Sequence, residues 1–92
     1  MDSKAVRGCH SHKSLEQVMF CLNGSFELEL NDGINREFYS MNVSTRGIYI
    51  GSDVWRVMTQ FNNNCLIMVL ASKKYDEFDY IRDYNKFLKS VN

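Results

Sequence analysis

The sequence predicts an all-β fold, an antiparallel barrel or sandwich closed by one carboxy-terminal helix. Three observations carry that reading. Short apolar runs recur from Gln17 to Ala71, and Gly8, Gly24, Gly33, Gly47 and Gly51 all sit where the pattern breaks. Proline is absent, which leaves the turns to glycine and asparagine. Beyond Tyr75 the apolar spacing changes to that of a helix.

Arg7 to Lys13 reads as the first strand. Gln17 to Leu22 is apolar enough to be buried on both faces, and Asn23-Gly24 joins it to Ser25 to Leu30, because both turn residues tolerate the positive φ of a tight hairpin. That next strand alternates cleanly, with Phe26, Leu28 and Leu30 on one face and Glu27 and Glu29 on the other. Asn31-Asp32-Gly33 turns the chain into Arg36 to Ser40, and a polar loop from Asn42 to Arg46 leads to Gly47 to Ile50. Trp55 to Phe61 and Cys65 to Ala71 follow, separated by a turn at Asn62-Asn63-Asn64. Phe78, Ile81, Tyr84, Leu88 and Val91 then lie at helical spacing. Asp76, Glu77 and Asp79 suit the positive end of a helix dipole, and Lys86 and Lys89 the negative end, so a helix of about three turns is expected against the sheet.

Length and charge narrow the function. A chain of 92 residues supports one core, so residues 1–92 are expected to form a single domain. With 45% apolar against 24% charged residues, it is expected to fold. Eleven basic residues balance eleven acidic ones, which leaves no general pull towards nucleic acid or an anionic membrane. The longest apolar run, Cys65 to Ala71, is far too short to span a bilayer. Met1-Asp2-Ser3-Lys4 lacks the pattern of a secretory signal, so a cytoplasmic protein is expected. Cys9, Cys21 and Cys65 are widely spaced and indicate neither a disulfide framework nor a zinc site.

Chemistry concentrates in the two histidines, His10 and His12. In a strand, residues two apart project to the same face, so both imidazoles enter one space. Such a pair suits metal binding or proton transfer, since histidine titrates near neutrality. The competing reading is an exposed pair near a frayed terminus.

The surroundings decide between these. From Gly8 the chain reads G-C-H-S-H-K-S-L-E-Q-V-M-F-C-L-N-G, which resembles the first motif of the cupin superfamily, H-x-H followed by a glutamate and, six residues on, a glycine. Gln17 stands at the glutamate position and Gly24 at the glycine; Glu16, one place earlier, would turn to the opposite face. The second cupin motif brings a further histidine, absent here, and Trp55 stands near its position. Two imidazoles, an amide and an indole make a poor divalent-metal site, so no metal is expected and acid–base work is favoured. The ending Y-D-E-F-D-Y-I-R-D-Y-N-K-F, Tyr75 to Phe87, resembles that of the dTDP-sugar 3,4-ketoisomerases, the WxcM-like cupins. Arg7-Gly8-Cys9-His10-Ser11-His12-Lys13, the Asp32-Gly33 turn, Gly47-Ile48-Tyr49-Ile50 and Trp55 are similar to that family's segments in order and spacing. Two departures stand out. Ser44, Gly51 and Ser52 replace prolines usual in the family, and only six residues precede Arg7, so the chain resembles a member lacking its first strands.

The resemblance implies a cupin-type antiparallel barrel or jelly roll, incomplete at the amino terminus, with one carboxy-terminal helix. It implies an isomerase that converts a dTDP-linked 4-keto-6-deoxyhexose to its 3-keto isomer without a cofactor. The setting would be nucleotide-sugar biosynthesis for bacterial surface glycans such as lipopolysaccharide O-antigen, and the enzyme a homodimer. His12 is assigned the carbon base, and His10 the shuttle or orienting role. Arg7 and Lys13 are candidates for the diphosphate, although strand alternation sets them opposite the histidines unless Gly8 bends the strand. Gln17 could bond a sugar oxygen or be a satisfied core amide. Tyr49 and Trp55 could line the pocket or stack on substrate, or be plain core. Cys9 is expected on the face opposite the histidines. The tyrosines and Arg82 of the ending are read as packing the helix. The alternative function is a truncated, inactive cupin that binds a sugar nucleotide or a protein partner. A metal-dependent oxygenase is the remote third.

Overall fold

The structure is a computed structural model that describes residues 5–91. Its strands are β1 (Arg7–His12), β2 (Gln17–Asn31), β3 (Arg36–Met41), β4 (Gly47–Ile50), β5 (Trp55–Ala71) and β6 (Tyr80–Ile81). A 3-10 turn covers Glu77–Asp79, and the helix α1 runs over Tyr84–Val91. Every pairing is antiparallel, in the order β3–β2–β5–β1–β6, with β4 also on β2.

The long strands β2 and β5 form one ribbon, with Gln17 opposite Ala71 at one end and Asn31 opposite Trp55 at the other. Between Cys21 and Glu27 the register shifts repeatedly. Gly24 (φ +69) lies there, facing Asn63 and Asn64, whose φ angles are 54 and 56. The approach is close: a Cβ on Gly24 would sit 2.7 Å from the Asn63 carbonyl oxygen and nearer still to that of Asn62. The Asn23 amide donates to the carbonyls of Asn63 and Asn64, at 3.1 Å each. Asn23-Gly24 and Asn62-Asn63-Asn64 are therefore not hairpin turns but facing bulges inside continuous strands. Left-handed residues bend a strand as readily as they reverse it, and here the long-range pairing decides which.

The bend wraps the ribbon around a core of Met19, Cys21, Phe26, Leu28, Met41, Ile50, Phe61 and Cys65. Phe26 and Phe61 stack at 5.9 Å in its middle. It also carries the two ends of the ribbon back towards each other. The Arg56 guanidinium donates to the side chain of Gln17, although Arg56 pairs with Leu30 and Gln17 with Ala71.

The helix departs from expectation. It begins at Tyr84, and the Asp83 carboxylate accepts from the Lys86 amide at 3.1 Å. Residues upstream are drawn instead to the turn after β1. The Asp79 carboxylate accepts from the Ser14 amide (3.0 Å), the Ser14 hydroxyl (2.8 Å) and the Leu15 amide (3.0 Å), and its carbonyl from the Lys13 amide (2.9 Å). Tyr80 and Ile81 then pair with His12 and Ser11. Phe78, expected on the apolar helix face, is 88% exposed. What remains of the helix buries Phe87, whose ring lies 5.6 Å from Trp55. Among the described residues no helix is long and apolar enough to cross a membrane.

Candidate functional site

The site begins with a bulge in β1. Gly8 (φ +84) and Cys9 (φ +49) both take left-handed backbone. A Cβ on Gly8 would meet the Arg56 carbonyl at 3.0 Å, so the close crossing of β5 requires glycine. Arg7 faces Met58 and His10 faces Arg56, so three steps of β1 span two of β5. The extra residue puts Arg7 on the same face as His10 and exposes Cys9.

His10 and His12 do converge. Their ring centroids lie 4.8 Å apart at an interplanar angle of 86°. Tyr80 packs against both, 4.9 Å from His10 and 4.3 Å from His12. The Arg82 guanidinium caps the Tyr80 ring at 4.3 Å and is fixed by Glu77, with bonds of 2.8 and 2.9 Å. His12 is fully buried, and its Nδ1 lies 3.5 Å from Asp79 Oδ2. Neither ring nitrogen of His12 has a hydrogen-bond partner among the described residues. Behind the rings Arg56, also buried, donates to Gln17 and to the Val54 carbonyl (3.1 Å), while its Nε has no partner among the described residues. A cavity of about 110 Å³ opens beside His12, lined by Leu15, Gln17, Tyr75, Asp79 and Tyr80 among others.

Electrostatics hold both imidazoles neutral. Burial, reinforced by Arg56 and His10, pushes the His12 pKa down to about 4, against the pull of Asp79. Burial also lowers that of His10, partly offset by its bond to Gly8. His10 Nδ1 lies 2.9 Å from the Gly8 carbonyl. A carbonyl only accepts, so Nδ1 carries the proton and Nε2 keeps its lone pair. Burial alone would raise the Asp79 pKa, but the bonds from Ser14 and Leu15 bring it below the ordinary value. Burial lowers the Arg56 pKa to about 10, which leaves the guanidinium charged at neutrality.

Of the residues singled out in the sequence, His10, His12 and Gln17 gather here, and the bulge brings Arg7, itself exposed, to the histidine side of β1. The others lie elsewhere. Lys13 lines a separate open depression with Tyr80, Arg82, Asp83 and Lys86. Tyr49 pairs with Val18 while Gln17 pairs with Ile50, so alternation turns Tyr49 to the outer surface, where its hydroxyl meets Glu16. Trp55 packs under the helix against Tyr84 and Phe87, its bulk serving the interior. Three residues of the cluster, Arg56, Asp79 and Tyr80, were not foreseen. Asp79 and Tyr80 were hidden inside an apparent helix, and Arg56 follows Trp55 with no local signal. No group of three or more His, Cys, Asp and Glu side chains among the described residues could hold a metal ion.

Comparison with known proteins shows what the chain is similar to in sequence and fold. The family model FdtA, described as WxcM-like, C-terminal, matches residues 1–92. A TDP-4-oxo-6-deoxy-alpha-D-glucose-3,4-oxoisomerase from Aneurinibacillus thermoaerophilus is 47% identical over 85 residues, which are 92% of this chain and 61% of that one. The 3,4-ketoisomerase QdtA from Thermoanaerobacterium thermosaccharolyticum, solved in complex with TDP, matches with a TM-score of 0.96 at 43% identity. That match covers 99% of this chain and 66% of QdtA. A 3,4-ketoisomerase from Helicobacter canadensis gives a TM-score of 0.95 at 43% identity, over 99% of this chain and 68% of that one. The RmlC epimerase of Mycobacterium tuberculosis, at 19% identity and a TM-score of 0.76, shares the fold alone. The architecture is the all-β, cupin-type fold with one carboxy-terminal helix.

Proposed function

The chain belongs to the WxcM-like, C-terminal family, and on that premise we propose that residues 1–92 act as one domain that converts a dTDP-linked 4-keto-6-deoxyhexose to its 3-keto isomer. The observation that carries this reading is the pair of neutral imidazoles, 4.8 Å apart, with a small cavity opening beside His12. The reaction removes a proton from C3, next to the C4 carbonyl, passes through an enediol, and returns a proton at C4 while the hydroxyl proton moves from O3 to O4. No electron leaves the substrate, so side chains suffice.

In this reading His12 takes the C3 proton. A base with so low a pKa gains a proton at a cost, and the Asp79 carboxylate beside Nδ1 offsets it as the imidazolium forms. His10, with Nε2 free, moves the proton between the two oxygens. Arg56 and Gln17 face the enediolate; the unpaired Arg56 Nε is a donor suited to its charge. Arg7, exposed on the histidine face, and Lys13, in the neighbouring depression, meet the diphosphate. Tyr49 and Trp55 support the fold rather than the substrate.

The setting is the cytoplasm, in the making of sugar nucleotides for surface glycans, and the working form is a homodimer. Leu22, Leu66, Met68 and Leu70 expose apolar surface on the ribbon, which a second copy would cover. Light scattering at micromolar concentration tests this; a well-behaved monomer would refute it.

The activity is tested by incubating the chain with dTDP-4-keto-6-deoxyglucose in deuterated buffer and following C3 exchange by NMR. Exchange that His12→Asn abolishes supports the isomerase. Substrate binding without exchange in the parent chain would replace it with the non-catalytic binder.

A further inference from the structure

We propose that Cys21 and Cys65 are an oxidisable dithiol that cross-links β2 to β5 at the bend of the ribbon. Both belong to the buried core, at 1% and 7% exposure, and the reaction above uses neither. Cys21 pairs with Ile67, and Cys65 lies two residues before Ile67, so the two thiols are diagonal neighbours on one face. The register shift that starts at Cys21 leaves both in the one buried cluster at the bend, where the neighbouring Cys21 thiol adds to burial in raising the Cys65 pKa. The Cys21 thiol also reaches the carbonyls of Asn23 (3.3 Å) and Gly24 (3.4 Å), the bulge itself. The pair therefore sits at the hinge about which the two halves of the ribbon fold.

Burial sets when the pair reacts. It raises the Cys65 pKa to about 11, so the thiol is protonated at neutral pH in the closed fold. Thiolate forms when the bend opens locally, and the opening gates oxidation. The oxidant is a small disulfide such as oxidised glutathione. One cysteine thiolate attacks it, expelling one glutathione thiolate and leaving a mixed disulfide. The second cysteine thiolate attacks the sulfur of the first cysteine and expels the other glutathione. Two protein thiols are oxidised, and one glutathione disulfide is reduced to two thiols. The product closes the chain between residues 21 and 65 and holds the bend shut.

The test uses the full chain with Cys9→Ser, which removes the exposed thiol that would form intermolecular links. It is equilibrated in oxidising glutathione buffer, digested without reductant, and mapped by mass spectrometry. The expected result is a linked Cys21–Cys65 peptide, a mass lower by two hydrogens, and a melting temperature raised by at least about 5 °C that dithiothreitol reverses. Adding Cys65→Ala should abolish both. Recovery of free thiols, glutathione adducts at both cysteines, or a linked form that melts lower would each overturn the proposal. The mapping in the Cys9→Ser chain stands even if the core variant folds poorly.

Discussion

At its bend the β2–β5 ribbon is self-sufficient, whereas where β1 crosses the end of β5 the fold buries polar groups that lack partners among the described residues. The bend satisfies itself locally: the Asn23 amide bonds two facing carbonyls, Gly24 admits the opposite backbone, and Phe26 and Phe61 stack beneath. At the ends His12 has no hydrogen-bond partner and Arg56 keeps an unpaired Nε, both within the described residues. Buried polar groups are normally satisfied, and each exception asks for an explanation. Hydrogen bonds are spent locally where the ribbon folds, and unspent hydrogen-bonding capacity gathers where β1 crosses its end.

The sharpest way to break this contrast is at His12. His12→Asn should lower kcat/KM for C3 exchange about 10³-fold, roughly 4 kcal/mol of transition-state stabilisation, measured by NMR. If exchange persisted, the open end would be merely a badly satisfied interior. The matching change at the bend is Gly24→Ala. Its Cβ meets the carbonyls of Asn62 and Asn63 on left-handed backbone, so urea unfolding should show a loss of about 3 kcal/mol. A stable Gly24→Ala chain would mean that the bulge is loosely packed.

Acid probes the same division at a similar scale. The unfolded chain takes up a proton at His12 near pH 6.5, while the folded one resists until about pH 4. Stability is therefore full above pH 6.5 and falls as the pH drops through that window, by about 3 kcal/mol in all. His12→Asn should flatten most of this slope in denaturant titrations across pH, whereas Gly24→Ala should shift the curve without changing its shape. The smallest effect is expected at Asp79, which in the proposed reaction acts only through His12. Asp79→Asn should lower kcat about tenfold with KM unchanged, and Asp79→Glu should recover part of it. An unchanged kcat would reduce Asp79 to a staple for the turn after β1.

The two regions also differ in how far they could be read from sequence. The histidine pair was legible because alternation in a strand is a local rule, and His10 and His12 obey it despite the bulge just before them. Gly24 was recognised as a place of positive φ, yet whether such a residue reverses a strand or bends it depends on a partner some forty residues away. Asp79 and Tyr80 were masked more thoroughly. Their neighbours carry a helical apolar period, and the bonds that override it come from Ser14 and Leu15, 65 and 64 residues distant. Arg56 shows no pattern of its own, because its partner Gln17 becomes adjacent only once the ribbon has bent.

The meeting of Gln17 with Arg56 has a consequence for the order of assembly. Closing contacts between remote segments comes late in folding, since the chain must first surrender the entropy of the intervening loop. A chain that has formed only its ribbon has a core but not the cluster, because the imidazoles of β1 and the Asp79 carboxylate have still to reach Arg56 and Gln17. The candidate site is thus the part of the molecule that only the complete fold assembles.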